Sequence, residues 1–185
     1  MKKILIFGLL LISITSQAQD LDLAGRKIVS ANLVFTTFIP NESNVSGPLA
    51  LQTNVLIGKI KDDNAYWAFG GQFQLISNST VDNSQSVGPA AEHGKFIKLV
   101  DRFYVVPAVG GNVSAKFSES STFGMDMSLY ATPLRFMYHF GNNFMAYTTL
   151  GSASLSLTST GSGTLINLQG GLRNSGSLGV FYTFK

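Results

Sequence analysis

The chain has 185 residues, a length that fits one domain, and it contains no Cys. It therefore has no disulfide, no thiolate metal site and no lipid-anchoring Cys behind a signal peptide. Only 12% of its residues are charged, against roughly 25% in soluble domains, so a water-facing surface would be short of polar groups whereas a lipid-facing surface would not.

The first 18 residues have the pattern of a secretory signal peptide. Lys2 and Lys3 precede an apolar run from Ile4 to Ile14, and Ser16–Ala18 offers small residues for cleavage. The run is about 11 residues long, well short of the roughly 20 that a membrane-spanning helix needs. We therefore expect cleavage after Ala18 and export of residues 19–185.

The mature chain is expected to be almost neutral. Removing Lys2 and Lys3 from the 13 basic residues leaves 11, against 10 acidic residues. No basic run with interleaved aromatic residues follows, so we expect no nucleic-acid partner.

Apolar residues recur at every second position through most of the remaining chain, which is the spacing of β-strands. In residues 65–75, Trp67, Phe69 and Phe73 share one face, whereas Gln72 and Gln74 share the other. The pattern predicts strands near Lys27–Ile39, Leu49–Ile60, Ala65–Ser77, Val87–Lys98, Phe103–Phe117, Phe123–Phe140, Phe144–Thr158 and Leu165–Phe184, the last with an irregular part around Arg173–Gly176.

The connections between these strands alternate in length. Three are tight and polar, at Lys61–Asn64, Leu99–Arg102 and Gly141–Asn143. The longer ones, rich in Ser, Asn and Gly, are Pro40–Pro48, Asn78–Ser86, Ser118–Thr122 and Ser159–Thr164. Short turns on one side and long loops on the other are typical of transmembrane β-barrels, whose strands cross the bilayer with about 9–11 tilted residues.

These features predict an all-β fold, a closed antiparallel up-and-down transmembrane β-barrel of about eight strands in residues 19–185. Alternation alone also fits a soluble, lipocalin-like binding barrel, which would hold its apolar side chains inside. The orientation of the strand faces decides between the two. The side chains expected to face lipid are Leu33, Phe35, Trp67, Phe69, Phe73, Val105, Val109, Leu134, Phe136, Val180 and Tyr182.

Aromatic residues near the tight turns predict a girdle at one membrane interface. They are Tyr66, Trp67, Phe103, Tyr104, Tyr138, Phe140, Phe144, Tyr147, Tyr182 and Phe184. Ordinary core packing is the alternative interpretation of these aromatic residues.

Polar side chains are expected inside the barrel and hydrogen-bonded to one another, because unpaired polar groups are costly there. They are Gln72, Gln74, Asn112, Lys116, Asp126 and Arg135. An eight-stranded barrel is barely wide enough for its own side chains, so we expect a largely plugged lumen. Small residues keep open the alternative of a small channel or carrier, namely Gly70, Ala108, Gly110, Ser128 and Gly179.

No catalytic or metal-binding constellation is predicted. His139 is expected to be a hydrogen-bonded interior residue, and His93 cannot pair with Glu92 because neighbouring strand residues face opposite sides. Asp62 and Asp63 lie in a tight turn and lack the spaced oxygen ligands of a calcium loop. We therefore expect no enzyme and no catalytic, cofactor-binding or metal-binding residue.

The C-terminal strand adds a resemblance to a known family. Leu178, Val180, Tyr182 and Phe184 form an amphipathic strand that closes on an aromatic residue, as in many outer-membrane barrels, although Lys185 follows it. The mature chain resembles the small single-domain outer membrane protein beta-barrel family of Gram-negative bacteria, also through Ala18-Gln19, Gly25–Lys27 and the Gly-rich segment Val105–Val113. The resemblance implies a barrel fold and an outer-membrane location, and it implies no catalytic residue.

From these patterns we expect a porin-like outer-membrane barrel, exported through the periplasm, with a structural or surface-interaction role through its extracellular loops. The expected partners are outer-membrane lipid, the barrel assembly machinery through the C-terminal strand, and an unknown extracellular partner, with no cofactor. The alternatives are a small channel or carrier for an apolar or small solute, and a soluble periplasmic lipocalin-like binding barrel.

Overall fold

A computed structural model describes residues 22–37, 49–77, 83–119, 123–141, 143–160, 163–171 and 177–185. Within these ranges the chain forms one antiparallel 13-stranded sheet, which curls into a half-barrel. The strands are β1 (Lys27–Thr37), β2 (Leu49–Ile60), β3 (Ala65–Ser77), β4 (Ser84–Lys95), β5 (Ile97–Val100), β6 (Phe103–Val105), β7 (Ala108–Ser118), β8 (Phe123–Thr132), β9 (Leu134–Gly141), β10 (Phe144–Leu150), β11 (Ser152–Thr160), β12 (Gly163–Gly171) and β13 (Ser177–Phe184). The predicted signal peptide, residues 1–18, lies outside the described ranges.

In the part of the chain that the structure describes, no helix has both the length and the apolar character needed to cross a bilayer.

The first three predicted strands agree with the observed ones, whereas the five later ones are each interrupted. β2 and β3 have the predicted bounds, and β1 starts at the predicted Lys27. Each later strand is divided into two pieces, so that β4 continues into β5, β6 into β7, β8 into β9, β10 into β11 and β12 into β13. The predicted irregular part around Arg173–Gly176 falls between β12 and β13, outside the described residues.

Local chemistry explains the interruptions on three of these strands. Pro107 and Pro133 lack the N–H group that a central strand gives to its ladder, and Gly151 has a φ of 75°, which lies outside the strand region. Near one break, the Val106 amide donates to the Arg135 carbonyl at 2.8 Å. Because the breaks lie in neighbouring strands, they separate two groups of pieces. One group is β4, β7, β8, β11 and β12, and the other is β5, β6, β9, β10 and β13.

The sheet order is β12-β11-β8-β7-β4-β3-β2-β1-β13-β10-β9-β6-β5, so the first strand lies between the second and the last. Val29 of β1 is opposite Ile57 of β2 on one side and Tyr182 of β13 on the other. Every described ladder is antiparallel and joins neighbours in this order, including the three hairpins at the tight turns. The predicted all-β, antiparallel class is therefore confirmed.

The three predicted tight turns connect strands at one end of the sheet, which we call the tight-turn end. Asn64, Arg102 and Asn143 each have a positive φ there, of 62°, 64° and 70°, and Asn tolerates this left-handed conformation better than most residues. In the first turn the Asp63 carboxylate accepts a hydrogen bond from the Ala65 amide at 3.1 Å, as the turn interpretation requires. We call the opposite end the loop end. Most of the predicted long loops lie outside the described residues, but β4 begins at Ser84, before the predicted end of the Asn78–Ser86 loop.

The orientation of the strand faces agrees with the prediction. The exposed members of the predicted lipid-facing set are Leu33, Trp67, Phe69, Phe73, Val109, Leu134, Val180 and Tyr182. Val105 and Phe136 are half-buried, while the side chain of Phe35 is not among those described. The outer face of the curled sheet is therefore strongly apolar.

Candidate functional site

The inner face of the sheet has an apolar part near the tight-turn end, which we call the apolar plug. It is a cluster of buried side chains, eight of them fully buried, including Ile28, Tyr66 and Phe181. The Phe96 and Phe181 rings meet edge to face with centroids 5.9 Å apart, and Tyr66 packs against both. The remaining members are Leu23, Leu56, Ile60, Ala68, Ala90, Phe96, Tyr104, Val106, Met137, Met145 and Tyr147.

A buried ion pair lies beside the plug. Arg135 of β9 donates from Nη1 and Nη2 to the two carboxylate oxygens of Glu92 on β4, both at 2.7 Å. Only 3% of the Arg135 side chain and 5% of the Glu92 side chain are exposed. Bidentate geometry of this kind is the most directional form of a charged hydrogen bond.

Tyrosine side chains complete the bonding of the pair. The Tyr66 hydroxyl donates to Glu92 Oε1 at 2.6 Å and accepts from Arg135 Nη1 at 2.9 Å. The Tyr130 hydroxyl donates to Glu92 Oε2 at 3.1 Å. The guanidinium of Arg135 also lies over the Tyr147 ring, 4.8 Å from its centroid. Both carboxylate oxygens of Glu92 and both terminal nitrogens of Arg135 are thus hydrogen-bonded, whereas Arg135 Nε is buried without a partner.

An open polar cavity lies on the other side of the ion pair, toward the loop end, and we call it the vestibule. Its volume is about 540 Å³, and amide and hydroxyl side chains from most of the described strands line it. Glu92, Arg135, Tyr130 and Tyr147 form its floor, so the ion pair separates the vestibule from the apolar plug. The described interior therefore has a polar part toward the loop end and a largely apolar part toward the tight-turn end.

The predicted interior polar residues all line the vestibule, but their bonding differs from the prediction. Asn112 donates to Ser128 at 2.7 Å, and Gln74 accepts a long 3.5 Å bond from Ser86. Arg135 bonds to Glu92, and a carboxylate oxygen of Asp126 and the amide oxygen of Gln72 are buried without a hydrogen-bond partner. Asn112 and Gln74 bond to Ser residues because the strand register places Ser128 and Ser86 directly opposite them. The sixth member of the set, Lys116, lines the same cavity.

The two histidines lie on opposite faces. His139 is buried as predicted, but its Nε2 has no hydrogen-bond partner, so the prediction of a satisfied interior residue is wrong at that atom. His93 faces outward and stacks on Trp67 with ring centroids 4.4 Å apart, while Glu92 faces inward. Within the described ranges, no group of three or more His, Cys, Asp or Glu side chains could hold a metal ion.

The predicted aromatic girdle is only partly correct. Tyr66, Tyr104 and Tyr147 are buried on the inner face, because each lies at an alternate position from the outward residues of its strand. The remaining members are exposed or half-buried, and several of their rings touch. Tyr138 meets Phe140 at 4.9 Å, and Phe140 meets Phe144 at 6.1 Å, between ring centroids. The others on this face are Trp67, Phe103, Tyr182 and Phe184.

Sequence reasoning did not identify Glu92 as the partner of Arg135. The sequence did contain a signal for this pairing, namely the alternation of side chains along the strand. Glu92 occupies an inward position in its strand, and an inward Arg needs an acidic partner. The pairing joins residues 43 positions apart, and only the curl of the sheet brings them together.

Comparisons with known proteins add little to this geometry. No family model matches the sequence, and no curated protein matches it. Among solved structures, the chain is similar to the beta domain of the Bordetella autotransporter BrkA, with 9% sequence identity and a TM-score of 0.34, over 87% of this chain and 100% of that one. At this identity and score, the likeness assigns no activity, ligand or partner to the chain.

Proposed function

We propose that the protein is an integral outer-membrane β-barrel of eight membrane-crossing passes with a blocked lumen. It acts through the surface that it presents at its loop end. The proposal rests on one observation above all: strand after strand exposes large apolar side chains on the outer face, while a charged pair is buried on the inner face. A water-soluble barrel would bury the first set and expose the second.

The strand pairings support a count of eight. If the two pieces of each interrupted strand count as one pass, the pairings at the tight-turn end run from β1 through β2 and β3 to β4, and from β5 through β6, β9, β10 and β13 back to β1. Phe96 alone separates β4 from β5, and its amide donates to the Asn64 carbonyl at 2.9 Å. Unpaired backbone is costly in lipid, so in the membrane we also expect β12 to find a partner on its second edge.

The apolar plug in the interior supports a role other than free diffusion of solutes through the barrel. A cluster of buried apolar side chains and a buried ion pair lie in the tight-turn half of the described interior. A barrel of this kind is a rigid, non-catalytic scaffold, and loops on such scaffolds are the usual binding surfaces. Its partners are outer-membrane lipid, the assembly machinery that receives β13, and an extracellular partner of the loops.

Single-cysteine labelling tests the membrane assignment directly, because the chain has no natural Cys. Leu129 is 53% exposed on the outer face, and its neighbour Ser128 lines the vestibule. We expect oxygen dissolved in lipid to accelerate the relaxation of a spin label at Leu129→Cys. A water-soluble nickel chelate should instead accelerate the relaxation of a label at Ser128→Cys. Val113→Cys and Asn112→Cys form a matched second pair on β7.

The alternatives make different predictions for the same labels. A soluble lipocalin-like barrel would leave Leu129→Cys and Val113→Cys accessible to the nickel chelate and would not associate with vesicles. Such a result would refute the membrane proposal. If the membrane assignment holds, deleting residues 41–47 or 78–82 in a cell-surface binding assay would test the loops as the interaction surface.

The vestibule supports a second candidate function, the binding of a small polar solute. Its volume of about 540 Å³ and its amide and hydroxyl lining suit such a ligand. Solute-induced swelling of vesicles that contain the protein would reveal passage through the barrel. Retention of a labelled solute without swelling would instead favour binding in the vestibule.

A further inference from the structure

A row of basic and aromatic residues crosses the outer face near the tight-turn end. The strand register places Lys27 opposite Lys59, Lys59 opposite Trp67, and Trp67 opposite His93. Lys95 follows His93 on the same face of β4, and the three lysines are all exposed. We call Lys27, Lys59, Trp67, His93 and Lys95 the basic row.

The charges of the basic row have no acidic partners on the described outer face. Directly opposed like charges are unfavourable in a sheet, yet Lys27 and Lys59 are opposed. Glu92 lies beside the row in sequence but points inward to Arg135, and the other described ion pair joins Lys98 to Asp101. Asp62 and Asp63 are in the turn beyond β2. An external anion would therefore relieve the repulsion between the opposed lysines.

An apolar hollow adjoins the row on the outer face. Trp67 and His93 line one part, with a volume of about 550 Å³, in which almost all of the lining is apolar. A second part of about 650 Å³ extends from His93 and Lys95. The hollow arises where small residues occupy outward positions in register with His93, since Val109, Ala131 and Ala153 follow it across β7, β8 and β11.

We propose that the basic row and this hollow form a binding site for an anionic phospholipid. The headgroup phosphate lies between Lys27 and Lys59, and an acyl chain occupies the hollow beside Val109 and Ala131. Lysine side chains at a membrane surface reach toward headgroups, and basic clusters there attract anionic lipid. Trp prefers the same interfacial level. This inference rests on the proposed membrane location and adds a lipid class and a site to it.

Trp67 is the single Trp of the chain, so its fluorescence reports directly on the site. The protein is folded into vesicles of phosphatidylcholine and phosphatidylglycerol at a fixed ratio, in which either one lipid or the other carries brominated chains. Bromine quenches Trp only at contact, so the ratio of the two quenching curves gives the relative association of the two lipids with the site. We expect phosphatidylglycerol to be favoured at least about fivefold, because each well-placed basic residue contributes about that factor at an anionic surface and the site has two.

Matched variants separate the site from general charge effects. Lys59→Gln should lower the preference and Lys27→Gln/Lys59→Gln should bring it close to one, whereas Lys116→Gln, which removes the same charge from the vestibule, should leave it unchanged. Concentrated salt should also reduce the preference of the unmodified protein, because screening shortens the range of the headgroup attraction. Because the salt series uses only the unmodified protein, its result does not depend on whether the variants fold.

The results that overturn the inference are distinct from those that overturn the proposed function. Equal quenching by the two brominated lipids, or a preference that survives in Lys27→Gln/Lys59→Gln, would refute the lipid site in a barrel that is still inserted. If neither brominated lipid quenched Trp67, the chain would not lie in the bilayer, and the proposed function and the site would both fail.

Discussion

Glu92 and Arg135 illustrate how a buried charge constrains single residues. Each of the two is held by the other and by tyrosine hydroxyls, so removing one leaves the other charge buried without its partner. We predict that Glu92→Gln lowers the free energy of unfolding by about 3–5 kcal/mol, as loss of one partner of a buried pair typically does. Urea unfolding in lipid vesicles, followed by Trp67 fluorescence, measures this change.

Two further variants control the ion-pair prediction. Asp101→Asn removes the exposed partner of Lys98 and should cost at most about 1 kcal/mol. Glu92→Leu/Arg135→Met removes both buried charges and should recover much of the loss, although the hydroxyls of Tyr66 and Tyr130 lose their acceptor. A Glu92→Gln variant as stable as the Asp101→Asn control would show that the pair is not buried as described.

Gly179 lies directly beneath the ring of Tyr147, which leaves no room for a larger side chain. A side chain added there would collide with the ring of Tyr147, which itself lies against Arg135. We predict that Gly179→Ala displaces this ring and lowers the urea midpoint of the folded protein. Gly71→Ala is the matched control, since its added carbon would meet only the Gly88 carbonyl at 3.8 Å. Equal midpoints for the two variants would contradict the prediction.

At the scale of elements, β13 joins two parts of the sheet that would otherwise separate. Its residues pair with β1 on one side and with β10 on the other, and its side chains alternate regularly between buried and exposed. Phe181, which faces inward, is also part of the apolar plug. This single strand therefore holds β1 and β10 in one curled sheet and also contributes a side chain to the apolar plug.

Deletion of Tyr182–Lys185 should abolish folding into the barrel. It removes the end of β13 that pairs with Lys27–Val29 and with Phe144. We expect loss of the heat-modifiable band, the compact form that runs faster on gels before boiling. Deletion of Lys185 alone, which lies beyond β13, should leave the band intact. A truncated chain that still gives the compact band would refute a closing role for β13.

At the scale of the whole molecule, the apolar plug leads to a prediction about ion permeability. We predict that the protein in a planar bilayer passes little steady ion current, because a dry cluster and a buried ion pair lie across the described interior. Phe96→Ala/Phe181→Ala removes two rings that touch inside the plug and should raise the current.

A matched pair of rings on the outer face provides the control for conductance. Phe117 and Phe123 also touch, with centroids 5.8 Å apart, and both are exposed. Phe117→Ala/Phe123→Ala should leave the current unchanged. A large and reproducible pore in the unmodified protein would overturn the blocked lumen and favour a channel.

Much of the fold could be predicted from the sequence because β-structure with one apolar face has a local signal. Side chains alternate strictly along a strand, so Trp67, Phe69 and Phe73 necessarily share a face, and turn residues such as Asn64 indicate where the chain reverses. The bounds of β2 and β3 and the outward face therefore follow from the order of residues alone.

The tertiary structure alone decided which distant residues meet. Alternation placed Glu92 on the face opposite His93, but the sequence prediction put Tyr66 in the outer girdle, and the tertiary structure brings both residues to Arg135. Pro107 and Pro133 can be read from the sequence. The division of the later strands into two groups of pieces, however, requires that the breaks lie side by side in neighbouring strands. Likewise, the opposition of Lys27 and Lys59 follows from the register between two strands. Contacts across a sheet are set by pairing and curvature, which are properties of the whole molecule, whereas the direction of each side chain is set by its position in its own strand.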